Sequence, residues 1–412
     1  MCGFIACRDD ALGTDVNIAR RGEDGLSYHH QGGYTFFHSL LHMTGERTPQ
    51  PFVDGDIVCV YNGEIYNAPI DLPSDGCWLI PLYKEFGPTF PQMLDGEFAI
   101  ALFDFSKGIA VYSTDAFRCK PIFVNCDGAA SYASGLKHAS RPLPMNTILV
   151  RDLNSHAMWT HPVHTFKFDE QCVDTYDKWI YAFEYAVAKR TRGQRSFFGL
   201  SSGYDSGAID LARLRMGANA RPYSILGGEN EEILRARNEP MPFDKKAFER
   251  ARDILRSRME DYAYEVFGYV RNLWHEESAF AMAHIMMEAK DDGLRVYLSG
   301  TGGDEIISDY STMRGQSEFH GRFPENLSGP WRNFYGECMD AYLAKEEHVG
   351  GAFAVETRYP FLDVGVVQEF LWLTPELKNQ RYKAPIAAYL ERHGYPFAEE
   401  KRGFGPQRGF DS

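Results

Sequence analysis

Ser196-Phe-Phe-Gly-Leu200 is a short apolar run that leads directly into the serine- and glycine-rich loop Ser201-Ser-Gly-Tyr-Asp-Ser206. A second run of this kind, Arg295 to Leu298, leads into Ser299-Gly-Thr-Gly-Gly-Asp-Glu305. Short apolar strands that alternate with long helical segments predict an α/β doubly wound domain. In such domains the ligand binds beyond the carboxyl ends of the strands, where loops turn into helices. We therefore expect both loops to form part of one ligand site.

Both loops carry residue types that bind phosphate and its metal ion. Small residues allow the backbone to approach a phosphate, and the N–H groups at a helix start favour an anion. Carboxylates beside phosphates usually hold Mg²⁺, and the candidates are Asp205 and Asp304. A Walker-type site is excluded because the chain has no GxxxxGK[ST] segment. For either loop alone, an ordinary helix cap is the alternative interpretation.

The chain before about Leu153 has a different pattern, with short alternating strands broken by Gly, Asp and Asn. This pattern predicts a β-rich layered domain. The pattern changes after a linker at roughly Ser155 to Phe168, and the first long helix is predicted over Val173 to Lys189. The strands predicted in the first domain are Asp56 to Tyr61, Phe98 to Phe103, Gly108 to Tyr112 and Pro121 to Asn125.

Length and composition favour two domains and a small-molecule substrate. The chain has 412 residues, of which 44% are hydrophobic, and this is longer than a single core usually grows. Its net charge of -14 and pI near 5.4 argue against a nucleic-acid partner. Eight irregularly spaced cysteines without a CxxC pair indicate a reduced, cytoplasmic protein without structural zinc. We expect no membrane association, because no apolar stretch is long enough for a span and no signal peptide is recognisable.

The residue after the initiator methionine is a cysteine, Cys2. If Met1 is removed, the α-amino group of Cys2 can act as the base that activates its own thiol. In the segment Tyr61-Asn-Gly-Glu-Ile-Tyr-Asn67, Asn62 and Gly63 can offer a side-chain amide and a backbone N–H to an oxyanion. Taken separately, these features also fit a chance cysteine and a hairpin turn.

Taken together and in order, these motifs resemble those of the glutamine-dependent asparagine synthetases and their relatives, almost from end to end. The resemblance implies an N-terminal nucleophile (Ntn) glutaminase sandwich with αββα layers over residues 1–155. It implies an α/β PP-loop ATP pyrophosphatase domain over residues 165–412, an internal ammonia channel and a homodimer. The matching segments are Cys2-Gly-Phe4, Arg21-Gly-Glu-Asp24, Asn62 to Asn67, Ser74-Asp75, Asp95-Gly-Glu-Phe98, Lys120-Pro121, Ser201 to Ser206, Leu298 to Glu305, Val355 to Asp363 and Lys401-Arg-Gly-Phe404.

The implied reaction hydrolyses glutamine and adenylates a small carboxylate with ATP and Mg²⁺, so that AMP, pyrophosphate, glutamate and an amide are formed. Cys2 would attack the glutamine amide, Asn62 and Gly63 would form the oxyanion hole, and Lys401 would stabilise charge at the adenylated carboxyl group. A solvated surface charge is the alternative for Lys401. The remaining implied ligands are Glu64 and Asp75 for the α-amino end of glutamine, Ser201, Ser202, Gly203, Asp205, Ser206, Ser299 and Gly300 for ATP or pyrophosphate, and Asp205 with Asp304 for Mg²⁺.

The chain departs from the family pattern at several positions. Leu40 stands where an arginine normally binds the α-carboxylate of glutamine, and leucine cannot replace a bidentate guanidinium group. Either Arg47 reaches the site from a reshaped loop, or glutamine binds more weakly, or the nitrogen donor differs. Ser202 replaces a usual glycine and Thr301 a usual acid, and the short C-terminal arm points to an altered acceptor pocket.

Three functions follow from this pattern. The first is a glutamine-dependent amidotransferase that acts on aspartate or another small carboxylate. The second is an ATP-dependent ligase that forms a lactam or another amide and keeps a degenerate glutaminase domain as a scaffold. The third is a non-catalytic protein that senses glutamine or nucleotide. The retained Cys2 favours the first function, whereas Leu40 favours the second.

Overall fold

The computed structural model describes residues 1–13, 17–226, 229–242, 244–310 and 315–398. The chain divides into two compact units. The first contains Met1–Thr165 together with the short segments Arg258–Glu260 and Gly350–Glu356, and the second contains the rest. Within the described residues, no helix is long and apolar enough to cross a membrane.

Two sheets form the first unit. Its helices are α1 (Asn17–Arg21) and α2 (Leu79–Phe86). In the described residues the strand order is β10-β8-β9-β1-β3-β2 in one sheet and β12-β11-β7-β6-β5-β4 in the other. The strands are β1 (Gly3–Arg8), β2 (Gly25–Gln31), β3 (Tyr34–Leu40), β4 (Phe52–Asp54), β5 (Ile57–Ile65), β6 (Gly96–Asp104), β7 (Ile109–Thr114), β8 (Phe123–Val124), β9 (Gly128–Ala130), β10 (Arg141–Pro142), β11 (Thr147–Asp152) and β12 (Met158–Pro162).

Alternate residues of these strands form the core between the two sheets. Phe4 of β1 and Phe36 of β3 pack there against Val58 and Val60 of β5. Side chains of a strand alternate between its two faces, so the residues between them point outwards. The outer face of the first sheet packs against Ile18 of α1, and that of the second packs against α2. These layers confirm the predicted αββα sandwich.

Three of the four strands predicted in this unit coincide with parts of β5, β6 and β7 to within one residue, whereas the fourth is shortened to β8. The prediction of a linker over residues 155–168 was wrong in part, because β12 forms there and pairs with β11. As an edge strand with exposed side chains such as Met158 and Trp159, β12 lacks the alternation of buried residues that marks a strand.

The rest of the chain combines a parallel sheet with helices. Strand β13 pairs in parallel with both β14 and β17, and the full sheet order in the described residues is β14-β13-β17-β18. The elements in chain order are α3 (Asp177–Thr191), β13 (Ser196–Gly199), α4 (Tyr204–Met216), β14 (Ala220–Tyr223), α5 (Glu231–Arg237), α6 (Lys245–Arg258), β15 (Ala263–Val266), β16 (Tyr269–Asn272), α7 (Glu277–Asp291), β17 (Val296–Leu298), α8 (Arg332–Tyr335), α9 (Cys338–Phe353), β18 (Glu356–Arg358), α10 (Val364–Trp372), α11 (Pro375–Lys378) and α12 (Ala384–Arg392).

The predicted α/β architecture of the second half is confirmed. The strands predicted at residues 196–200 and 295–298 correspond to β13 and β17. Because β13 and β17 are parallel neighbours, the two glycine-rich loops leave the sheet at the same edge. The first loop leads directly into α4, with Gly203 at its N-cap.

Candidate active sites

The thiol of Cys2 lies at the start of β1, in contact with the backbone of Leu41. Its Sγ atom is 3.4 Å from the backbone nitrogen of Leu41 and 3.7 Å from the carbonyl oxygen. Arg21 donates a hydrogen bond of 3.0 Å to the carbonyl oxygen of Cys2 and so fixes the chain terminus. Burial raises the pKa of the Cys2 thiol to about 11, although the nearby terminal ammonium group opposes this shift. The thiol therefore needs a base before it can attack.

Asn62 lies on the inner face of β5, two residues beyond Val60. Its side chain is only 1% exposed. Neither its amide nitrogen nor its amide oxygen has a hydrogen-bond partner within the described residues. The next residue must be glycine, since Gly63 has a φ of +147° and a Cβ atom there would clash with the carbonyl oxygen of Glu97. A buried amide without partners is the kind of group that a developing oxyanion can use.

The phenol of Tyr61 lies within electrostatic reach of Glu64, Asp75 and Cys2. Asp75 accepts hydrogen bonds from the Tyr61 hydroxyl and from the backbone nitrogen of Ile65 at 2.8 Å. Burial raises the pKa of Tyr61, and the charges of Asp75, Glu64 and Cys2 raise it further. These three predicted site residues thus all act on one side chain, and Asp75 contacts it directly. Glu64 in turn accepts a hydrogen bond of 2.7 Å from Thr44.

Arg47 lies close to the strand position that is occupied by Leu40. Leu40 pairs with Gly25 across β2 and β3 and packs against Cys2. The exposed guanidinium group of Arg47 donates to the carbonyl oxygen of Asp24. A Cβ atom on Gly25 would lie 3.1 Å from Nη2 of Arg47, so the guanidinium group is beside the cross-strand partner of Leu40.

Hydrogen bonds between serine side chains and the backbone shape the first glycine-rich loop. Ser201 Oγ lies 2.8 Å from Ser206 Oγ and accepts a hydrogen bond of 3.1 Å from the backbone nitrogen of Gly203. Ser202 is buried, and its backbone nitrogen donates to Glu229 at 2.9 Å. Since the φ angle of Ser202 is not positive, the backbone does not require the glycine that is usual there.

The second loop packs against Asp205 from the first. A Cβ atom on Gly303 would lie 2.7 Å from Cγ of Asp205, so only glycine permits this approach. Gly300 also adjoins Asp205, at 3.1 Å from an added Cβ atom to the aspartate Cβ. Ser299 is buried beneath the loop, where its hydroxyl accepts a hydrogen bond of 2.9 Å from the backbone nitrogen of Thr301.

Lys383 joins the carboxylates of the two loops. Its Nζ atom lies 2.7 Å from Oδ1 of Asp205 and 3.0 Å from Oδ1 of Asp304. Burial opposes the charged form of this lysine, but the two carboxylates outweigh it and raise the pKa well above its usual value. Tyr382 completes the cluster with a hydrogen bond of 2.7 Å to Asp304.

The two carboxylates that contact the ammonium group of Lys383 could also hold a magnesium ion. Mg²⁺ usually takes one or two protein carboxylates and completes its coordination with water and substrate phosphates. Asp205 and Asp304 supply such a pair. The described residues contain no group of three or more histidine, cysteine or acidic side chains that could hold a metal without help from a ligand.

Both loops open into a cavity of about 450 Å³ in the second unit. Ser201, Gly203, Asp205, Ser206, Gly300 and Asp304 line one wall together with Lys383. Side chains from α7 and α9 also line it, including Ser278, Met282, Lys345 and Glu346. The cavity thus combines the two loops with residues of two helices.

Comparison with known sequences gives the same division of the chain. Residues 1–173 match the family of glutamine amidotransferase domains, and residues 178–333 match the asparagine synthase family. The chain belongs to the asparagine synthetase-like amidotransferases. This amidotransferase shares a family with enzymes that use ATP.

Similar proteins are the glutamine-hydrolysing asparagine synthetases of plants. The enzyme from Triphysaria versicolor is 26% identical over 92% of this amidotransferase and 71% of the relative. The nodule enzyme of Pisum sativum is 25% identical over the same shares. Asparagine synthetase 1 of Arabidopsis thaliana is 25% identical over 99% of this chain and 76% of the relative.

The structure adds one lysine to the candidate site residues that the sequence predicts. The predicted Lys401 lies outside the described residues. Lys383 was missed, because it lies in no glycine-rich motif and only its position before the apolar face of α12 marks it. The structure places it in the cavity beside both aspartates.

Proposed function

We propose that this protein hydrolyses glutamine at Cys2 and uses the ammonia to amidate a small carboxylate that it has adenylated with ATP. The observation that carries the proposal is the buried, unpartnered amide of Asn62. A buried polar group without a partner costs about 1 to 3 kcal/mol. A glutaminase domain kept only as a scaffold would have no reason to retain it.

In the first half-reaction, the α-amino group of Cys2 takes the thiol proton after Met1 is removed. The thiolate attacks the glutamine amide, and Asn62 with the backbone of Gly63 stabilises the resulting oxyanion. Glu64 and Asp75 hold the α-ammonium group of glutamine, since both carboxylates act on the phenol of Tyr61 near Cys2. Arg47 binds the α-carboxylate in place of the arginine that Leu40 replaces.

In the second half-reaction, the two glycine-rich loops bind the triphosphate and Lys383 neutralises charge on it as pyrophosphate leaves. Asp205 and Asp304 hold Mg²⁺, which when bound supplies further positive charge to the phosphates. Ser202 and Ser299 support the loops, and Lys401 acts at the adenylated carboxyl group. The acceptor is aspartate or another small carboxylate.

The same proposal includes the functional domains at residues 1–155 and 165–412, a cytoplasmic location and a homodimer. The change of sequence pattern supports the domain bounds, and the free cysteines support a cytoplasmic location. The homodimer is supported by the resemblance alone. The alternative, an amide-forming ligase with a degenerate glutaminase, is favoured by a single observation. Leu40 packs directly against the nucleophile.

The test uses purified protein from which Met1 has been removed, and a matched Cys2→Ala variant. Each is incubated with glutamine, ATP, Mg²⁺ and either aspartate or one of a panel of small carboxylates, and release of glutamate, AMP and pyrophosphate is measured. We expect Cys2→Ala to lose glutamate release but to form AMP and amide when ammonium chloride replaces glutamine. Absence of glutamate release from the wild-type protein under every condition would contradict the proposal and favour the ligase.

A further inference from the structure

Charged side chains hold both ends of the peptide bond between Ser201 and Ser202, in the first glycine-rich loop. The carbonyl oxygen of this peptide accepts a hydrogen bond from Nη1 of Arg237, which ends α5. The N–H group of the same peptide donates a hydrogen bond of 2.9 Å to Oε2 of Glu229. Hydrogen bonds to ionised groups are stronger than those between neutral groups. A cation and an anion therefore fix the orientation of this peptide plane together.

The side chain of Ser202 adds to the contact with Glu229. Its hydroxyl donates a hydrogen bond of 2.5 Å to the same carboxylate oxygen and accepts one of 3.3 Å from the backbone nitrogen of Asn230. The glycine that is usual at this position could make neither contact. The departure at Ser202 thus ties the loop more firmly to the segment that follows β14.

Arg237 also joins the loop to the C-terminal part of the described chain. Its Nε atom donates a hydrogen bond of 2.8 Å to the carbonyl oxygen of Pro396. The backbone nitrogen of Ala398 donates one of 2.9 Å to the carbonyl oxygen of Ser202. Two consecutive carbonyl groups of the loop are thus connected to the same C-terminal segment, one through Arg237 and one directly.

The guanidinium group of Arg237 fits because Gly207, near the start of α4, has no side chain. A Cβ atom on Gly207 would lie 2.6 Å from Nη2 and 2.9 Å from Cζ of Arg237. Glycine inside a helix costs roughly 1 kcal/mol relative to alanine. The glycine in α4 therefore makes room for the arginine at a cost to the helix.

The surroundings of Arg237 favour its charged form. Its guanidinium carbon lies 5.0 Å from the centroid of the Tyr395 ring, a contact that stabilises a cation. Burial lowers the pKa of Arg237, but Tyr395, Asp210 and Glu229 oppose this shift. Its Nη2 atom is buried and has no hydrogen-bond partner within the part of the chain that the structure describes. Two of its three nitrogens thus make the contacts to the loop and to the C-terminal segment.

We propose that Arg237 and Glu229 are positioning residues for adenylation, an inference that rests on the proposed function. They orient the peptide between Ser201 and Ser202, and this orientation sets the direction of the polar groups on either side. Those groups belong to Ser201 and Gly203, which line the cavity and are joined by a hydrogen bond of 3.1 Å from the Gly203 nitrogen to Ser201 Oγ. A misplacement of about 1 Å at such a site can slow a reaction about 100-fold.

The first test compares wild type with Arg237→Met and Arg237→Lys. Arg235→Met is the matched control, because Arg235 lies one helical position before Ala236 in α5 and pairs at the surface with Glu231. Adenylation is followed by exchange of pyrophosphate into ATP, with the carboxylate that supports AMP release in the assay of the proposed function. The kcat of exchange and the KM for ATP are determined, and glutamate release is measured on the same preparations.

For Arg237→Met we expect the kcat of exchange to fall about 100-fold and the KM for ATP to change less than about threefold, because the loop is misplaced chiefly for the transition state. Glutamate release should stay at the wild-type level. Arg237→Lys should recover about a tenth of the lost activity, since one ammonium group replaces two donor nitrogens. Arg235→Met should match wild type throughout.

Three results would overturn the role of Arg237. The first is exchange by Arg237→Met at the rate of the control. The second is an equal fall in exchange and glutamate release, which would indicate a general role in folding. The third is a higher KM for ATP at an unchanged kcat, which would indicate a role in ATP binding alone.

Two variants of Glu229 test the other end of the peptide. Glu229→Gln keeps an oxygen that can accept both hydrogen bonds from Ser202, so exchange should stay within about tenfold of wild type. Glu229→Ala removes the acceptor and should lower exchange about as far as Arg237→Met. Exchange by Glu229→Ala at the wild-type rate would overturn the role of the carboxylate.

Gly207→Ala tests the geometry when it is combined with Arg237→Met. In the wild-type background the added methyl group displaces the guanidinium group, and exchange should fall about tenfold. In the Arg237→Met background it should cause no further loss, because residues in contact do not act additively. Independent effects of the two changes would overturn the proposal. Failure of wild type to exchange pyrophosphate with any acceptor would overturn both proposals, whereas an active wild type with unaffected variants would overturn this one alone.

Discussion

The ammonium group of Lys383 lies 2.7 Å from Oδ1 of Asp205, and this ion pair connects the residue before α12 with the first glycine-rich loop. Both groups line the cavity. Under the proposed function, this buried ammonium group supplies positive charge to the phosphates of ATP.

Replacement of Lys383 by methionine should therefore slow adenylation. We expect acceptor-dependent pyrophosphate release to fall about 100- to 1000-fold, because a positive charge aimed at the transition state is lost. Glutamate release from glutamine should persist. Lys246→Met, which removes an exposed lysine of α6, is the control and should leave both activities intact. Adenylation by Lys383→Met at the control rate would remove Lys383 from the site.

Gly303→Ala should displace the carboxylate of Asp205. The added Cβ atom would lie 2.7 Å from Cγ of Asp205, which is closer than real contacts of this kind. We expect pyrophosphate release to fall more than about tenfold, since small misplacements at such sites are costly. Gly329→Ala is the matched change, because nothing lies within 4 Å of a Cβ atom there. Equal activity of the two variants would contradict this geometry.

Asn62→Ala should separate catalysis from stability. The kcat of glutamate release should fall about 100- to 1000-fold if the amide stabilises an oxyanion. The free energy of unfolding should stay the same or rise by up to about 3 kcal/mol, because the amide has no partner to lose and its burial carries a cost. Asn125→Ala is the opposite case, since its side chain bonds to His138 at 3.0 Å and to Asp127 at 2.8 Å. It should lower stability and leave kcat unchanged.

The thiol of Cys2 should titrate abnormally when Met1 is retained. Burial raises its pKa to about 11, so the reactive thiolate is scarcer at neutral pH than for an ordinary cysteine. Alkylation at Cys2, followed by mass spectrometry of the peptide, should keep accelerating up to about pH 10 or beyond. A short cysteine-containing peptide, whose thiol has a pKa of about 8.5, is the reference and should reach its plateau at a lower pH. Matching plateaus for Cys2 and the peptide would refute the effect of burial.

Arg47→Ala should weaken glutamine binding. If its guanidinium group replaces the usual arginine, the KM for glutamine should rise about 10- to 100-fold with little change in kcat, because the contact is equal in ground and transition states. Arg8→Ala removes another exposed arginine, which pairs with Asp10, and should leave KM unchanged. An unchanged KM in Arg47→Ala would mean that another group binds the α-carboxylate.

The sequence was sufficient for those features that depend on local patterns. Alternating strands, the change to longer helices and the two glycine-rich loops predicted the sandwich and the α/β half, and they predicted which aspartates meet. Each of these signals lies within a few consecutive residues. The pairing of Asp205 with the second loop followed from the rule that parallel strands end at one edge.

Features that depend on packing between distant segments were not predictable. Lys383 and Glu346 reach the cavity from helical segments far from either loop, and no periodicity distinguishes them from other charged residues. The exposed edge strand β12 has no apolar alternation. Likewise, the position of Arg47 beside Gly25 depends on the path of a loop that carries no regular pattern.

The most direct test of the central claim is to follow the nitrogen itself. Wild-type protein without Met1 is given ATP, Mg²⁺, an acceptor and glutamine labelled with heavy nitrogen at its side-chain amide, in the presence of unlabelled ammonium chloride. We predict that the product amide carries the heavy nitrogen and that glutamate, AMP and pyrophosphate appear in equal amounts. A product that contains only the unlabelled nitrogen, or an amide formed without glutamate, would contradict the account.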